Sequence, residues 1–281
     1  MQQFTQFRSR PLAASLVAAW CILSGPSYAQ ETQDRPKLDV IYVPTPQEVV
    51  DRMLEMAQVK ATDFVIDLGC GDGRNVITAA KVYGTRGFGV DIDPARIKEA
   101  KENAEKAGVQ DKVEFRVANL FETKIGDADV MMMYLLSTIN LKLRPRILDE
   151  LKPGSRIVSH AFDMGDWKPD QRDTVGYRNV YMWIVPAKVE GRWNVRSGDQ
   201  SFDLDLKQKF QEIEGTATVN GKAAPIRDAQ LKGAEISFVV DLGQGKSTTF
   251  TGKVDGNTIK AAPAQGGAQG GAAKDWQATK A

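Results

Sequence analysis

Four residues in the first third of the chain have the types and the spacing to hold a charged ligand. Asp67 ends an apolar run, residues 64–68, and Gly69, Gly71 and Gly73 follow at every second position. A helix-like stretch comes next, so the pattern predicts a strand, a tight glycine turn and a helix. Glycines let a ligand approach the main chain, and the start of a helix supplies unpaired N–H donors. The turn is therefore a candidate ligand site.

Two classes of ligand use such a turn. Dinucleotides are typical of G-x-G-x-x-G, but here the spacing is G-x-G-x-G and Arg74 stands where the third glycine would be. Asp67 would repel a pyrophosphate and attract an ammonium. A second acid, Asp91, lies 20 residues after Gly71, close to the spacing of a ribose-binding carboxylate. S-adenosylmethionine (SAM), with an amino-acid end and a nucleoside end, fits better than a dinucleotide, and a dinucleotide oxidoreductase is the weaker alternative.

The elements around this turn follow an α/β pattern. A helix is predicted before the first strand, with Thr45 and Glu48 forming a capping box at its start. Apolar runs at 113–117, 130–136 and 156–160 predict further strands, and a helix is expected to start near Pro145 and end at Leu151. Strand and helix alternation of this kind predicts a parallel sheet covered on both faces. Two later stretches, residues 180–185 and 192–196, are predicted to add an antiparallel hairpin to it.

The motifs resemble those of class I SAM-dependent methyltransferases. Asp67, the glycines and Asp91 are similar to the first motif and the following acidic strand end of that class. Four further segments resemble a narrower group, the mitochondrial-type protein-lysine N-methyltransferases and their bacterial relatives, and the likeness extends over about residues 41–170. These segments are Tyr-Val-Pro-Thr at 42–45, Asn-Leu-Phe-Glu at 119–122, Tyr-Leu-Leu at 134–136 and Ser-His-Ala-Phe-Asp-Met-Gly-Asp-Trp at 159–167.

The resemblance implies a Rossmann-like class I methyltransferase sheet and a set of cofactor-binding residues. Asp67 would face the methionine amino group, Asp91 the ribose hydroxyls and Ile92 the adenine ring. Asn119 stands where these enzymes often have Asp, and its carbonyl can accept the same bond from the adenine amine. The implied cofactor-binding residues are Asp67, Gly69, Gly71, Gly73, Asp91, Ile92 and Asn119.

Three residues at or just after predicted strand ends are candidates for catalysis, namely Tyr134, His160 and Asp163. Ligands of open α/β sheets bind at that edge, and an amine must be neutral to accept a methyl group, so a nearby acceptor or an apolar pocket helps. The other interpretation of His160 is a structural histidine. Asp163 and Asp166 would either hold a lysine ammonium or cap a loop. No Cys/His cluster predicts a metal site.

The second half of the chain has a different pattern. Alternation at 202–206, short β-prone stretches up to 261 and turn signals such as Asn220-Gly221 predict a small antiparallel β module. Residues 262–281 are rich in Gly, Ala and Gln and predict a flexible tail, in which Trp276 is the exception that can dock on the module. The predicted segments are a signal peptide over 1–29, the methyltransferase domain over 38–198, the β module over 199–262 and the tail over 263–281.

The first 29 residues resemble a secretory signal. Arg8 and Arg10 precede an apolar stretch, residues 12–23, that is too short to span a bilayer, and Ser-Tyr-Ala at 27–29 is a small-x-small cleavage site. We therefore expect an exported, periplasmic protein without a lipid anchor, with a mitochondrial transit peptide as the alternative. Cleavage would leave Cys70 as the single cysteine, expected to be a buried filler of the glycine turn rather than a nucleophile.

Composition narrows the functions further. The 281 residues carry a formal net charge of +1, so no overall charge favours nucleic acid or a membrane surface as partner. No Asn-Pro-Pro-Tyr follows the fourth strand, which argues against methylation of DNA amines. The sequence thus predicts methyl transfer from SAM to an amine, with a protein lysine as one acceptor. The alternative is a non-catalytic SAM-binding protein whose β module engages a partner.

Export can be tested on the protein from its native host. The precursor should lose residues 1–29, so N-terminal sequencing of the mature chain should begin at Gln30. Recovery of the chain with Met1 intact, or from the cytosol alone, would contradict the export prediction.

Overall fold

The first half of the described chain alternates strands and helices as its apolar pattern predicts. A computed structural model describes residues 42–243, 247–263 and 271–281, so the predicted signal peptide lies outside the described residues. The elements of this half are α1 (Gln47–Met56), β1 (Phe64–Leu68), α2 (Arg74–Tyr83), β2 (Arg86–Asp91), α3 (Pro94–Ala107), β3 (Val113–Val117), β4 (Val130–Met133), α4 (Ser137–Glu150), β5 (Arg156–His160), β6 (Gln171–Val175) and β7 (Arg178–Ile184).

These strands form one seven-stranded sheet in the order β3-β2-β1-β4-β5-β7-β6. Strands β1 to β5 are parallel, and β7 and β6 are antiparallel additions at one edge. All four residues of β4 are buried, which explains its continuous apolar sequence. The predicted Rossmann-like sheet is confirmed, and the carboxyl ends of β1 and β4 meet at the edge where the glycine turn lies.

The second half forms a separate, mainly antiparallel sheet. Its strands are β8 (Gly191–Ser197), β9 (Gln200–Lys209), β10 (Glu212–Val219), β11 (Lys222–Pro225), β12 (Arg227–Lys232), β13 (Glu235–Asp241), β14 (Ser247–Asp255), β15 (Thr258–Ala261), β16 (Gly271–Ala272) and β17 (Trp276–Lys280). The sheet curls around one core, and the N–H of Ile226 beside β12 bonds to the carbonyl of Gly215 on β10 at 2.9 Å. The predicted antiparallel module is therefore present.

The boundary between the two sheets differs from the predicted one. The hairpin predicted from residues 180–185 and 192–196 is wrong, because β7 pairs with β5 and β6, whereas β8 pairs with β9 and β17. Strand β8 buries Trp193 and Val195 in the core of the second sheet. The first sheet thus ends at Ile184, so a domain that ended at residue 198 would include a strand of the second sheet.

The predicted flexible tail is wrong for residues 276–280. These residues form β17, which lies inside the second sheet between β8 and β15. Trp276 is 4% exposed and packs edge-on against Phe238 and Phe250, with ring centroids 5.8 and 5.3 Å away. Its predicted docking is confirmed, and this burial of a large ring offsets the low apolar content of the segment around it.

Two helix starts also differ from the prediction. Thr45 does not cap α1, because the residue before the helix is Pro46 and the Thr45 hydroxyl bonds His160 instead. Helix α4 begins at Ser137 and contains Pro145, since Ile139, Leu143 and Ile147 face the sheet from one side of it and this packing outweighs the break at proline. None of the helices in the described ranges is long and apolar enough to cross a membrane.

Replacement of Trp276 tests the importance of β17. Trp276→Ala should lower the free energy of unfolding by about 3–5 kcal/mol, because it leaves a cavity among Phe238 and Phe250. Gln277→Ala, an exposed position on the same strand, is the matched control and should change it by less than about 0.5 kcal/mol. Urea unfolding measures both variants. If Trp276→Ala were as stable as the native protein, Trp276 of β17 would add nothing to the core.

Candidate active site

The glycine turn after β1 is fixed by hydrogen bonds to the end of β2. The N–H groups of Gly69 and Cys70 each donate to the carbonyl of Val90 at 2.8 Å. Gly73 has φ +80° directly before α2, and a side-chain carbon at Gly71 would overlap the ring of Tyr42. Both positions therefore require glycine, the first for its backbone conformation and the second for space. The predicted strand, turn and helix are confirmed.

Asp67 is buried at the end of β1 beneath this turn. Its Oδ2 accepts from Asn75 Nδ2 at 3.0 Å, while Asp67 Oδ1 and Asn75 Oδ1 are buried without a hydrogen-bond partner among the described residues. Burial raises the pKa of Asp67 to about 7, although the bond from Asn75 opposes the rise. Two acceptor oxygens are thus buried without a partner among the described residues. Asn75, on α2, lies in the wall of the adjoining cavity, whereas Asp67 lies behind that wall and does not line it.

Asp91 and Ile92 lie where β2 ends. Asp91 Oδ2 accepts from the N–H of Gly71 at 3.0 Å, and Asp91 Oδ1 accepts from the N–H of Asp93 at 2.9 Å. Each carboxylate oxygen keeps a second lone pair, so the ribose hydroxyls of a ligand can still donate to them. Ile92 is 39% exposed and lines the same cavity.

Asn119 lies beyond β3 on the same side of the cavity. Its Oδ1 accepts from the N–H of Phe121 at 3.0 Å, and its Nδ2 donates to Glu122 Oε1 at 3.1 Å. The carbonyl oxygen keeps one lone pair for an exocyclic amine. These two bonds therefore orient the side chain, and the loop uses one of the two lone pairs of its Oδ1.

Residues 42–45, noted in the sequence only for their resemblance to the narrower group, close one side of the cavity, a position that was not predicted. Arg74 pairs with Asp72 and donates to the carbonyl of Thr45 at 2.8 Å, so the start of α2 holds the chain before α1. The guanidinium of Arg96 lies 4.8 Å from the ring centroid of Tyr42 in the same segment. Arg74, at the position of the missing third glycine, was the available signal for this contact.

Tyr134, after β4, lies in the cavity wall with His160 behind it. The two ring centroids are 3.9 Å apart, and the Thr45 hydroxyl lies 3.2 Å from His160 Nδ1. Burial, with a smaller contribution from the Arg178 guanidinium, lowers the pKa of His160 to about 4, so the imidazole is neutral at pH 7. His160 itself does not line the cavity, and Phe162 stacks beside Tyr134 in the wall at 5.9 Å.

Asp163 and Asp166 lie outside the wall. Asp163 Oδ1 accepts from the N–H of Gly165 at 3.2 Å, which is a loop-capping bond. Asp166 is paired with Arg144 at 2.6 Å and with Lys209 at 3.2 Å. Of the three residues predicted for catalysis, the structure therefore brings only Tyr134 to the cavity.

The cavity has a volume of about 550 Å³ and two unlike halves. One half is formed by the ends of β1 to β3 and carries the polar groups, and the other is formed at β4, α4 and β5. The first half includes Gly69, Asn75, Asp91, Ile92 and Asn119, and the second consists of Tyr134, Leu135, Leu136, Ile139 and Phe162. Cys70, predicted to be a filler, is 5% exposed, and burial raises the pKa of its thiol well above the usual value, which favours a filler over a nucleophile.

These groups fit SAM. An ammonium has three donors and no acceptor, which suits the two buried oxygens of Asp67 and Asn75 that have no partner. Asp91 would present a carboxylate to the ribose of SAM, and Ile92 would present an apolar surface to its base. The order of the first sheet and this site at the ends of β1 to β3 define a class I SAM-dependent methyltransferase.

Comparisons with known proteins agree with that class. Residues 67–171 match the ANTKMT methyltransferase domain. A protein-lysine N-methyltransferase from Saccharolobus islandicus is 46% identical over 151 residues, which cover 52% of this chain and 94% of that protein. A lysine N-methyltransferase from Xenopus laevis, named after an ATP synthase component, is 28% identical and covers 54% of this chain and 66% of its own length. The chain therefore belongs to the same methyltransferase family as the Saccharolobus protein.

A solved structure is similar to the same half of the chain. It is described as an RNA methyltransferase from Salinibacter ruber in complex with S-adenosyl-L-homocysteine, the demethylated form of SAM. It is 52% identical, covers 52% of this chain and 96% of its own, and has a TM-score of 0.52.

The pKa of Asp67 makes cofactor affinity depend on pH. The free protein protonates Asp67 as pH falls through about 7, and a neutral carboxyl attracts an ammonium less. The dissociation constant of SAM should therefore rise by up to about tenfold per pH unit below 7. Asp67→Asn should bind more weakly at pH 8 and lose this dependence. Calorimetry between about pH 5.5 and 8 measures both.

Asp111→Asn is the control for this experiment. Asp111 is exposed in the turn before β3, at the opposite edge of the sheet from the cavity, so its removal should leave the pH profile unchanged. An Asp67→Asn profile that matches the native one would remove Asp67 from the cofactor site.

Proposed function

We propose that the protein transfers a methyl group from SAM to the side-chain amine of a lysine in a protein. The apolar half of the cavity carries this proposal. Tyr134, Leu135, Leu136, Ile139 and Phe162 form it, and none of these described wall residues is charged.

An apolar wall suits a lysine for two physical reasons. The amine can accept a methyl group only in its neutral form, and removal from water lowers the pKa of an ammonium. The faces of Tyr134 and Phe162, whose ring centroids are 5.9 Å apart, would also attract the ammonium as it enters. The same half therefore attracts a lysine and favours its reactive form.

The polar half would hold the methyl donor. Asp67 and Asn75 would bind its ammonium, Asp91 its ribose, and Ile92 and Asn119 its base. When bound, SAM supplies an electrophilic methyl group on a sulfonium. The contribution of these residues is orientation, because an in-line displacement depends mainly on how the two reactants are held.

Tyr134 is the one residue of the three predicted for catalysis that we assign to the acceptor. Its ring is held from behind by His160, which Thr45 fixes through Nδ1. A neutral imidazole with a pKa of about 4 is a poor base for an amine, so we assign His160 to the positioning of Tyr134. Asp163 is assigned to the loop it caps.

The relatives support a lysine acceptor but differ among themselves. The Saccharolobus and Xenopus proteins are named as lysine methyltransferases, whereas the Salinibacter protein is described as acting on RNA. The net charge of +1 favours the protein acceptor, because RNA binding is largely driven by positive charge. The intact site disfavours the alternative of a non-catalytic SAM-binding protein.

We also propose that the mature chain acts after export. The support is the sequence of residues 1–29, with its two arginines, short apolar stretch and cleavage site. Its acceptor would then be a protein of the same compartment, and SAM made in the cytosol would have to reach it there.

Labelling of an extract distinguishes the classes of acceptor. Purified protein should transfer label from methyl-labelled SAM into a protease-sensitive, ribonuclease-resistant fraction of a native-host extract, and mass spectrometry should locate it on lysine. Asp91→Ala should bind SAM more weakly by about 1.5–3 kcal/mol, because the ribose hydroxyls lose a charged acceptor, and should label less. Asp111→Asn is again the control.

Two results would contradict the proposal. Label removed by ribonuclease would identify RNA as the acceptor. A protein that binds SAM with an intact site and labels neither fraction would restore the non-catalytic interpretation.

A further inference from the structure

One contact between the second sheet and the first domain is made by the tip of a hairpin. Strands β9 and β10 are joined at Phe210 and Gln211, and we call residues 209–212 the hairpin tip. The ring of Phe210 stacks on Trp167 with centroids 5.8 Å apart and planes 19° apart. Gln211 Oε1 accepts from Trp167 Nε1 at 2.9 Å, and Gln211 Nε2 donates to the carbonyl of Lys168 at 2.7 Å.

The two outer residues of the tip reach the same segment. Lys209 Nζ lies 3.2 Å from Asp166 Oδ2, and Glu212 Oε1 lies 2.7 Å from Lys168 Nζ. All four consecutive side chains of the tip thus contact residues 166–168.

The loop they meet on carries a residue of the cavity wall. It follows β5 and includes residues 161–168, and its Phe162 lines the apolar half. Helix α4 holds the same loop from the other side, because Asn140 Nδ2 donates to the carbonyls of Phe162 and Asp163 at 3.3 and 3.2 Å. Arg144 Nη1 donates to the carbonyl of Met164 at 2.8 Å. The loop is therefore clamped between α4 and the hairpin tip.

The backbone conformation of Phe210 indicates that its ring is kept for a specific contact. Its φ is +56°, a left-handed backbone that is unfavourable for a bulky side chain. Its ring packs against the core of the first domain, and the Arg144 guanidinium lies 5.2 Å from the ring centroid. Asparagine or glycine would suit the backbone better, so the ring is kept at this position for its contacts rather than for the turn.

We propose that the hairpin tip positions the loop of residues 161–168, so that Phe162 is held in the wall that receives the methyl acceptor. The inference rests on the proposed function for the identity of that acceptor. Phe210 is then a positioning residue, which acts on the reaction through Trp167 and the loop. The second sheet contributes to methyl transfer by fixing the acceptor half of the site, while the cofactor half is built by the first sheet alone.

The test replaces Phe210 by glycine in the full chain. Glycine accepts the left-handed backbone, so Phe210→Gly should keep the hairpin while removing the ring. Hydrogen exchange at the amides of residues 161–168 should become faster, with β1 and β4 unchanged. The Kd of SAM should stay unchanged, and kcat/KM for a labelled protein acceptor should fall by about 10- to 100-fold.

Two further variants serve as controls. Phe210→Tyr keeps the stacked ring and should restore slow exchange and activity. Tyr177→Ala removes an aromatic ring, 83% exposed, from the tip of the β6–β7 hairpin and should leave the loop as it is. If Phe210→Gly does not fold, Gln211→Ala, which removes the bonds to Trp167 and Lys168, takes its place.

Unchanged exchange at residues 161–168 in a folded variant would overturn the proposal. Faster exchange throughout the first sheet, with weaker SAM binding, would also overturn it, because the tip would then only stabilise the fold. The exchange measurement needs no acceptor. A native chain that methylates no protein, while its loop loosens selectively in Phe210→Gly, would overturn the lysine acceptor and leave the positioning role standing.

Discussion

The buried carboxylate of Asp67 constrains everything built around the glycine turn. Burial of a carboxylate with an oxygen that lacks a partner costs free energy, and the rise of its pKa to about 7 reflects that cost. The bond from Asn75 offsets it only in part. An ammonium ligand would offset the rest, so the same buried carboxylate that costs free energy in the free protein would favour a ligand with an ammonium group. The turn, α2 and Asp91 must hold this arrangement while the ligand is absent, and bound SAM should stabilise the whole first domain.

The fold was predictable where local pattern decides it. The continuous apolar sequence of β4 and the glycine turn after β1 specify buried strands and a helix start without reference to distant residues. The assignment of β8 failed because pairing is non-local, and its alternation fits either sheet. Residues 276–280 failed because composition was averaged over a segment in which one buried ring, Trp276, decides the outcome.

The residues of the site, too, were predictable only where local sequence decides their position. Asp91, Ile92 and Asn119 lie at or just after strand ends, so sequence position alone brings them to the cavity edge. Asn75 was missed because its contact with Asp67 depends on the angle at which α2 leaves the turn. His160 was a candidate for catalysis with a structural role as the other interpretation, and its ring packs against Tyr134 instead of lining the cavity. Every residue from Ile157 to His160 is buried, so the burial pattern of β5 does not tell the two faces apart.

The position of β17 has a consequence for the order of folding. Strand β17 follows all of its sheet partners in the chain, yet it lies between β8, the first strand of the second sheet, and β15. During synthesis the first sheet is complete about a hundred residues before β17 emerges, because its last strand ends at Ile184. Until then β8 has an open edge and the core around Phe250 lacks one wall, which is the state most exposed to aggregation. Such long-range closure is also slow, so a chaperone that shields the growing second sheet would act in this interval.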